Sequence, residues 1–195
     1  MLIGLLDTAE SNLNKNNMGL FSALSGKIYR FNSINIPIDN GIAARIKELD
    51  ESSTERILLT MSFGITQEMV GLIFHPDNGI FRKSLDSLTK ESLEKTYYVL
   101  MDLSVSQIIQ APMLNINSEN LISSFAKISQ STVDKKTEDI EVYKKADSGV
   151  MKAYESICLN LNRQGDAQSA IPFGTSFLKI YNEVITKLVE AIYNK

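Results

Sequence analysis

The stretch ILLTMSFG, residues 57–64, decides how the fold of this chain is predicted. Successive side chains of a β-strand point to opposite faces of a sheet. A sequence in which one residue type recurs at every second position is therefore typical of a strand. Gly64 ends the pattern, and we therefore predict a strand over residues 57–64. The apolar residues Ile57, Leu59, Met61 and Phe63 share one face, and they alternate with Leu58, Thr60 and Ser62 on the other.

Segments on both sides of this stretch predict further strands. Upstream, Ile28, Ile34, Ile36 and Ile38 share one parity and Tyr29 and Phe31 lie on the other, which predicts a strand partly buried on both faces. Pro37 has no backbone donor, so we place this strand at a sheet edge or at a bulge. Downstream, the apolar run 69–74 meets the turn sequence of residues 75–79 and predicts a hairpin or a bend. Residues 97–103 are predicted as one more strand.

A turn is predicted directly after Pro37. The sequence Asp39-Asn40-Gly41 combines three turn-forming residues, and such turns place glycine at positive φ, where a side chain would clash. We therefore single out Pro37, Asp39, Asn40 and Gly41 as structural turn residues. The run 42–49 that follows predicts a helical turn or a loop.

Helical spacing appears in other parts of the chain. Residues 1–15 read as a short amphipathic helix, and the polar segment 82–96, with three leucines, reads as a helix lying on a surface. The segment 121–129 fits a helix and a strand equally well, and both alternatives stay open.

The C-terminal third is predicted to be helical. Residues 132–144 are charged and read as a helix or a linker, and helical spacing then continues from Tyr143 to Leu161. After Pro172 and Gly174, an apolar stripe predicts a helix over 175–193. Its candidate residues for helix packing or for an interface are Phe177, Tyr181, Val184, Leu188 and Ile192.

These elements together predict an α+β protein. We expect a mixed strand and helix domain over residues 1–131 and a C-terminal helical extension over residues 132–195. The chain has 195 residues, 44% of them apolar and 22% charged, which is near the average of folded domains.

Charge and cysteine content bound the partners and the compartment. The formal net charge is −3, so the chain lacks the basic footprint that nucleic-acid binding needs, and we expect no nucleic acid as main partner. No stretch has the length and apolar character of a membrane helix, so no membrane insertion is expected. Cys158 is the single cysteine, which excludes an internal disulfide framework and indicates a reducing compartment or one where disulfides are unnecessary. We expect the protein to be cytoplasmic when it is synthesised.

Catalytic and cofactor motifs are not found in the sequence. His75 is the single histidine and lies in a turn context, and Cys158 lies on the apolar flank of a helical run, so we expect both to be dispensable. Glycine-rich phosphate-binding and nucleophile-elbow patterns are missing. We therefore predict a protein without enzymatic activity, cofactor or metal. A pair of carboxylates assembled in space stays possible among Asp77, Asp102, Glu138 and Asp139.

Residues 27–66, KIYRFNSINIPIDNGIAARIKELDESSTERILLTMSFGIT, resemble the N-terminal region of distal-tail-like phage tail proteins. Two positions depart from that pattern: Ile36 stands where a histidine is usual, and Ala44-Arg45 stand where an Asp-His pair is usual. The matching residues are Pro37, Ile38, Asp39, Asn40, Gly41 and Ile46, followed by Leu59, Met61 and Gly64.

The resemblance implies a tail-tube-like fold, a β-sandwich or partial barrel with one flanking helix. It also implies a homo-oligomeric ring that joins the tail tube to the baseplate and has no active site. The helical segment from residue 132 onward is not part of that pattern.

Three functions are therefore considered. The first is a structural ring or adaptor of a phage tail, baseplate or related contractile injection device, present in the virion or the injection particle, with neighbouring assembly proteins as partners. Its exposed strand edges would pair between subunits. The second is a small intracellular protein-binding module, immunity-like or chaperone-like, in which the C-terminal helices form a groove. The third is an uncharacterised hydrolase that uses scattered carboxylates or His75.

Overall fold

A computed structural model describes residues 42, 44–50, 53–74, 79–81, 89–111, 114, 116–129, 140–144 and 146–193. Within these residues the chain forms α-helices and connecting turns, and no strand is present. The prediction of an α+β protein with a β-sandwich or partial barrel is therefore wrong. The five long helices are α1 (Thr54–Ile73), α2 (Lys90–Ile109), α3 (Ser118–Ser129), α4 (Ala146–Asn160) and α5 (Ala167–Tyr193).

Helix α1 replaces the strand predicted for residues 57–64. Ser53 caps its N-terminus, since the Ser53 hydroxyl accepts a hydrogen bond from the Arg56 backbone N–H at 3.2 Å. The apolar run 69–74 belongs to the same helix, which ends where the Phe74 backbone N–H donates to the Val70 carbonyl. The alternation seen in the sequence arises because this helix is buried on most of its circumference, so that apolar residues occur on every side.

Helix α2 replaces the strand predicted for residues 97–103. Thr89 caps it by accepting from the Ser92 N–H at 3.1 Å, and residues 100–108 are buried without interruption. The surface helix predicted over 82–96 corresponds to the start of α2 for residues 90–96, and residues 82–88 lie outside the described part. For 121–129 the helical alternative is confirmed, since these residues form most of α3.

The C-terminal helices confirm the helical prediction and extend it. The region from Tyr143 to Leu161 contains α4, and the helix predicted over 175–193 begins earlier, at Ala167, and continues through Pro172. Pro172 lies on an exposed side, where water can satisfy the carbonyl that loses its N–H partner. Gly174 also lies within the helix, so neither residue ends it.

Four helices form a ring with one helix outside it. The principal contacts join α1 to α2, α2 to α4, α4 to α5, and α5 back to α1, while α3 packs against α1. Buried residues of all five helices belong to one apolar cluster. The predicted domain boundary at residue 131 falls within 130–139, outside the described residues, and stays a prediction.

Buried polar groups fix the helices relative to each other. The Tyr143 carbonyl accepts hydrogen bonds from Ser106 Oγ at 3.2 Å and from Gln107 Nε2 at 2.9 Å. Gln107 also offers its backbone carbonyl to the Tyr181 hydroxyl at 3.0 Å, which ties α5 to the end of α2. Because these groups are removed from water, each lost partner would leave a costly unsatisfied atom. None of the helices in the described residues is long and apolar enough to cross a membrane.

Candidate binding groove

A groove of about 650 Å³ opens between α4 and the N-terminal half of α5. Most of its wall is apolar, and it is open to solvent. Its α4 side is formed by Val150, Met151, Tyr154 and Glu155. Its other side is formed by the loop residues Gly165 and Asp166 and by Ala167, Ala170, Ile171, Gly174, Thr175 and Leu178 of α5.

Exposed apolar side chains are concentrated at this groove. Met151 is 41% exposed, Ile171 is 69% exposed and Leu178 is 38% exposed, and all three line it. Two other large apolar side chains, Val142 and Leu159, are 46% and 76% exposed and do not line the groove. Because three exposed apolar side chains surround this open groove, it is the candidate binding surface of the described residues.

Small residues form the α5 side of the groove. Ala167, Ala170 and Gly174 lie within two turns of the helix, and none of them carries a side chain beyond Cβ. A Cβ added at Gly174 would lie 3.7 Å from Val150 Cγ1, which is ordinary van der Waals contact. These short side chains leave the space of the groove open, and alanine would fit at position 174 as well.

Tyr154, which lines the groove, belongs to an aromatic cluster. The Tyr154 ring stacks on Phe81 at a centroid distance of 5.9 Å and meets Phe173 at 5.7 Å with a tilt of 50°. The Tyr154 hydroxyl donates to the Asp166 carbonyl and accepts from the Asp166 backbone N–H, both at 2.8 Å. Tyr154 thus fixes the backbone of Asp166, the residue directly before α5. Burial of the Tyr154 side chain raises the pKa of its phenol.

Asp166 caps α5 and is already paired. Its carboxylate accepts from the Ser169 backbone N–H at 2.8 Å and from Arg163 Nη2 at 2.7 Å. The Ser169 N–H, followed by the Ser169 hydroxyl and Arg163, holds the pKa of the Asp166 carboxyl below its usual value. The Arg163 guanidinium also lies 4.5 Å from the centroid of the Phe81 ring, which attaches the α4–α5 loop to the residues after α1.

Cys158 lies behind the same loop and is buried. Burial raises the pKa of its thiol, because the charged thiolate is poorly solvated there. A nucleophilic cysteine requires the opposite shift, toward the thiolate. In the described part of the chain, no group of three histidine, cysteine or carboxylate side chains is placed to hold a metal ion.

The residues that the sequence singled out differ in their burial, and some of them lie outside the described residues. Phe177, Val184 and Leu188 are buried between helices, Tyr181 is half-buried, and the side chain of Ile192 is outside the described set. The turn residues Pro37, Asp39, Asn40 and Gly41 lie outside the described residues. So do His75 and the carboxylates Asp77, Glu138 and Asp139, while Asp102 is buried on α2.

A groove formed by the C-terminal helices was one hypothesis from the sequence, but its lining residues were missed, although α5 carries a signal for them. Ile171 and Leu178 are seven residues apart and lie off the buried stripe that begins at Phe173. A second apolar row at this spacing marks a second helix face that needs cover. Asp166, placed three residues before Ser169, was also a recognisable helix start.

Comparisons with known proteins do not identify a relative. Protein-family models, curated proteins and solved structures were compared with the chain, and none of the three gave a significant match. The resemblance of residues 27–66 to distal-tail-like proteins therefore stays a prediction without support from these comparisons.

Proposed function

We propose that this protein is a protein-binding module whose α4–α5 groove receives an apolar helical segment of a partner protein. The observation that carries the proposal is the placement of Met151, Ile171 and Leu178 around one open groove. Covering these side chains removes apolar surface from water, which is the main favourable contribution to protein association.

Helical occupants suit the composition of this groove. Ala167, Ala170 and Gly174 have short side chains, so the backbone of a bound helix can approach α5 closely. Amphipathic helices bind such grooves through anchors spaced at i, i+3 or i+4, and i+7. Ile171 and Leu178, one heptad apart, offer a matching row of contacts.

The proposal places binding, without catalysis, in the cytoplasm. It corresponds to the second of the three functions, in which the C-terminal helices form the groove. The tail-ring function is a separate prediction. It relied on pairing between strand edges, and residues 54–66 of the quoted stretch, including 57–64, are helical. No observation in the structure favours the ring or the hydrolase over the binding module.

Photo-crosslinking in the native source tests the proposal. A photoreactive amino acid replaces Thr175, which lines the groove, or Asn182, an exposed residue of α5 outside it. We expect adducts with a partner protein from position 175 and not from position 182. The crosslinked peptide should be an amphipathic helical sequence.

Matched variants then test whether the exposed apolar side chains carry the contact. The groove variant combines Ile171→Gln with Leu178→Gln, and the control combines Val142→Gln with Leu159→Gln. All four positions are exposed, so both variants should fold. We expect the groove variant alone to lose the adduct. An adduct that survives in the groove variant, or no protein adduct from position 175, would refute the proposed function.

A further inference from the structure

We infer that the partner helix carries a lysine or arginine that faces Glu155 at the edge of the groove. This inference rests on the proposed function and adds the charge of the partner. Two charged side chains line the groove, Glu155 and Asp166, and both are acidic.

The two carboxylates differ in what already neutralises them. Asp166 is occupied by the Arg163 guanidinium and by the Ser169 N–H and hydroxyl. Glu155 is exposed and makes no ion pair with any residue of the described part of the chain. Glu155 is therefore the charge at this groove that a partner can still compensate.

The position of Glu155 fixes where the partner's cation must lie. Glu155 and Met151 are four residues apart on α4, so they occupy the same helix face. A partner helix with an apolar anchor on Met151 would have its basic residue within about one turn of that anchor. A basic residue flanking an apolar stripe is thus the expected signature.

A second copy of this chain fits the groove less well than a basic partner. Two copies that met through the groove by a two-fold axis would present the same patch to each other. Each would bring the uncompensated carboxylate of Glu155 and no lining cation. Like charges placed together suppress such contacts.

Three synthetic peptides of about 20 residues serve as probes, a length above the roughly 12–15 residues below which isolated helices are marginal in water. All carry leucines at heptad spacing, and the residues flanking the leucine stripe are lysine, glutamine or glutamate. Their dissociation constants for the full chain are measured by fluorescence anisotropy at about 0.15 M salt, where long-range attraction is screened. We expect the lysine peptide to bind most tightly and the glutamate peptide most weakly.

Variants of the chain assign that preference to one carboxylate. Glu155→Gln should reduce the preference for the lysine peptide about twofold to fivefold, as expected for an exposed ion pair. Glu155→Lys should reverse the order of the lysine and glutamate peptides. The control Glu183→Lys changes the net charge equally at an exposed position of α5 that does not line the groove. It should keep the original order.

The outcomes separate this inference from the proposed function. If Ile171→Gln with Leu178→Gln weakens all three peptides while Glu155→Lys leaves their order unchanged, the charge inference is wrong and the groove function stands. If the groove variant leaves all affinities unchanged, both are wrong. Sedimentation that shows a dimer of the full chain, dissociated by the groove variant, would make a second copy the occupant and would also overturn the inference.

Discussion

Helices α1 and α5 bury their apolar residues in opposite ways. Helix α1 is covered by α2, α3 and α5, and buried residues occur on most of its circumference. Helix α5 buries one apolar stripe and exposes lysine, asparagine and glutamate residues on its other faces. Its N-terminal half also exposes the second apolar row that lines the groove. The comparison separates a helix that is fixed by the core from a helix that has surface available for binding.

The largest expected difference between the two helices comes from matched isoleucines. Ile65 in α1 is fully buried, and Ile171 in α5 is 69% exposed. Ile65→Ala should lower the free energy of unfolding by about 2–5 kcal/mol, because it removes buried methyl groups and leaves a cavity. Ile171→Ala should change it by less than about 0.5 kcal/mol. Urea denaturation of both variants measures the difference, and equal losses would contradict the assignment of these two environments.

Substituting two helical glycines by alanine should change the free energy of unfolding by an intermediate amount. A Cβ at Gly149 in α4 would lie 2.2 Å from the Tyr143 carbonyl oxygen, whereas a Cβ at Gly174 meets only ordinary contact. Gly149→Ala should therefore cost about 1–3 kcal/mol, since the backbone at Tyr143 must move. Gly174→Ala should stabilise the protein by up to about 1 kcal/mol, because alanine has the higher helix propensity.

Melting temperatures of the two glycine variants provide the check. The Tyr143 carbonyl also accepts from Ser106 and Gln107, so its displacement should weaken the contact with α2. A stabilising Gly149→Ala change would mean that α4 and the turn before it are not packed as described.

The smallest expected effect is the pH dependence contributed by Asp166. Its folded-state pKa is lowered, chiefly by the Ser169 N–H, so its contribution to stability is present above the unfolded-state pKa. That contribution is lost as the pH falls through the lower, folded-state pKa. Asp166→Asn keeps a capping oxygen but does not titrate. The wild type should thus exceed the Asn variant in stability at neutral pH, with the difference shrinking in acid.

Unfolding of both chains from neutral pH down to the lowest pH at which they fold tests this expectation. A difference between them that stays constant with pH would exclude Asp166 as its source.

The contrast between α1 and α5 also explains which parts of the fold the sequence predicted. In α5, polar residues such as Lys179 and Glu183 interrupt the apolar ones at helical intervals, so the period is readable. In α1, burial on most sides removes the polar face, and the remaining alternation of 57–64 coincides with that of a strand. Short apolar runs carry no period that separates a buried helix from a buried strand.

The candidate groove was only partly predictable. That the C-terminal helices could form a groove was one of the hypotheses from the sequence, but the residues chosen there, such as Phe177 and Leu188, lie in the core. The lining residues come from two helices and from a loop fixed by Tyr154. These residues lie together only because α5 starts at Ala167. The sequence predicts a later start, since Pro172 and Gly174 precede the predicted helix.

The Cα chemical shifts of residues 57–64 test the central claim most directly. If α1 is a buried helix, NMR assignment of the full chain should give Cα shifts displaced in the helical direction from Thr54 to Ile73 without interruption. The amides of its central residues should also exchange slowly, because they lie in the core. Cα shifts displaced in the strand direction over 57–64 would contradict the helical ring and with it the groove between α4 and α5.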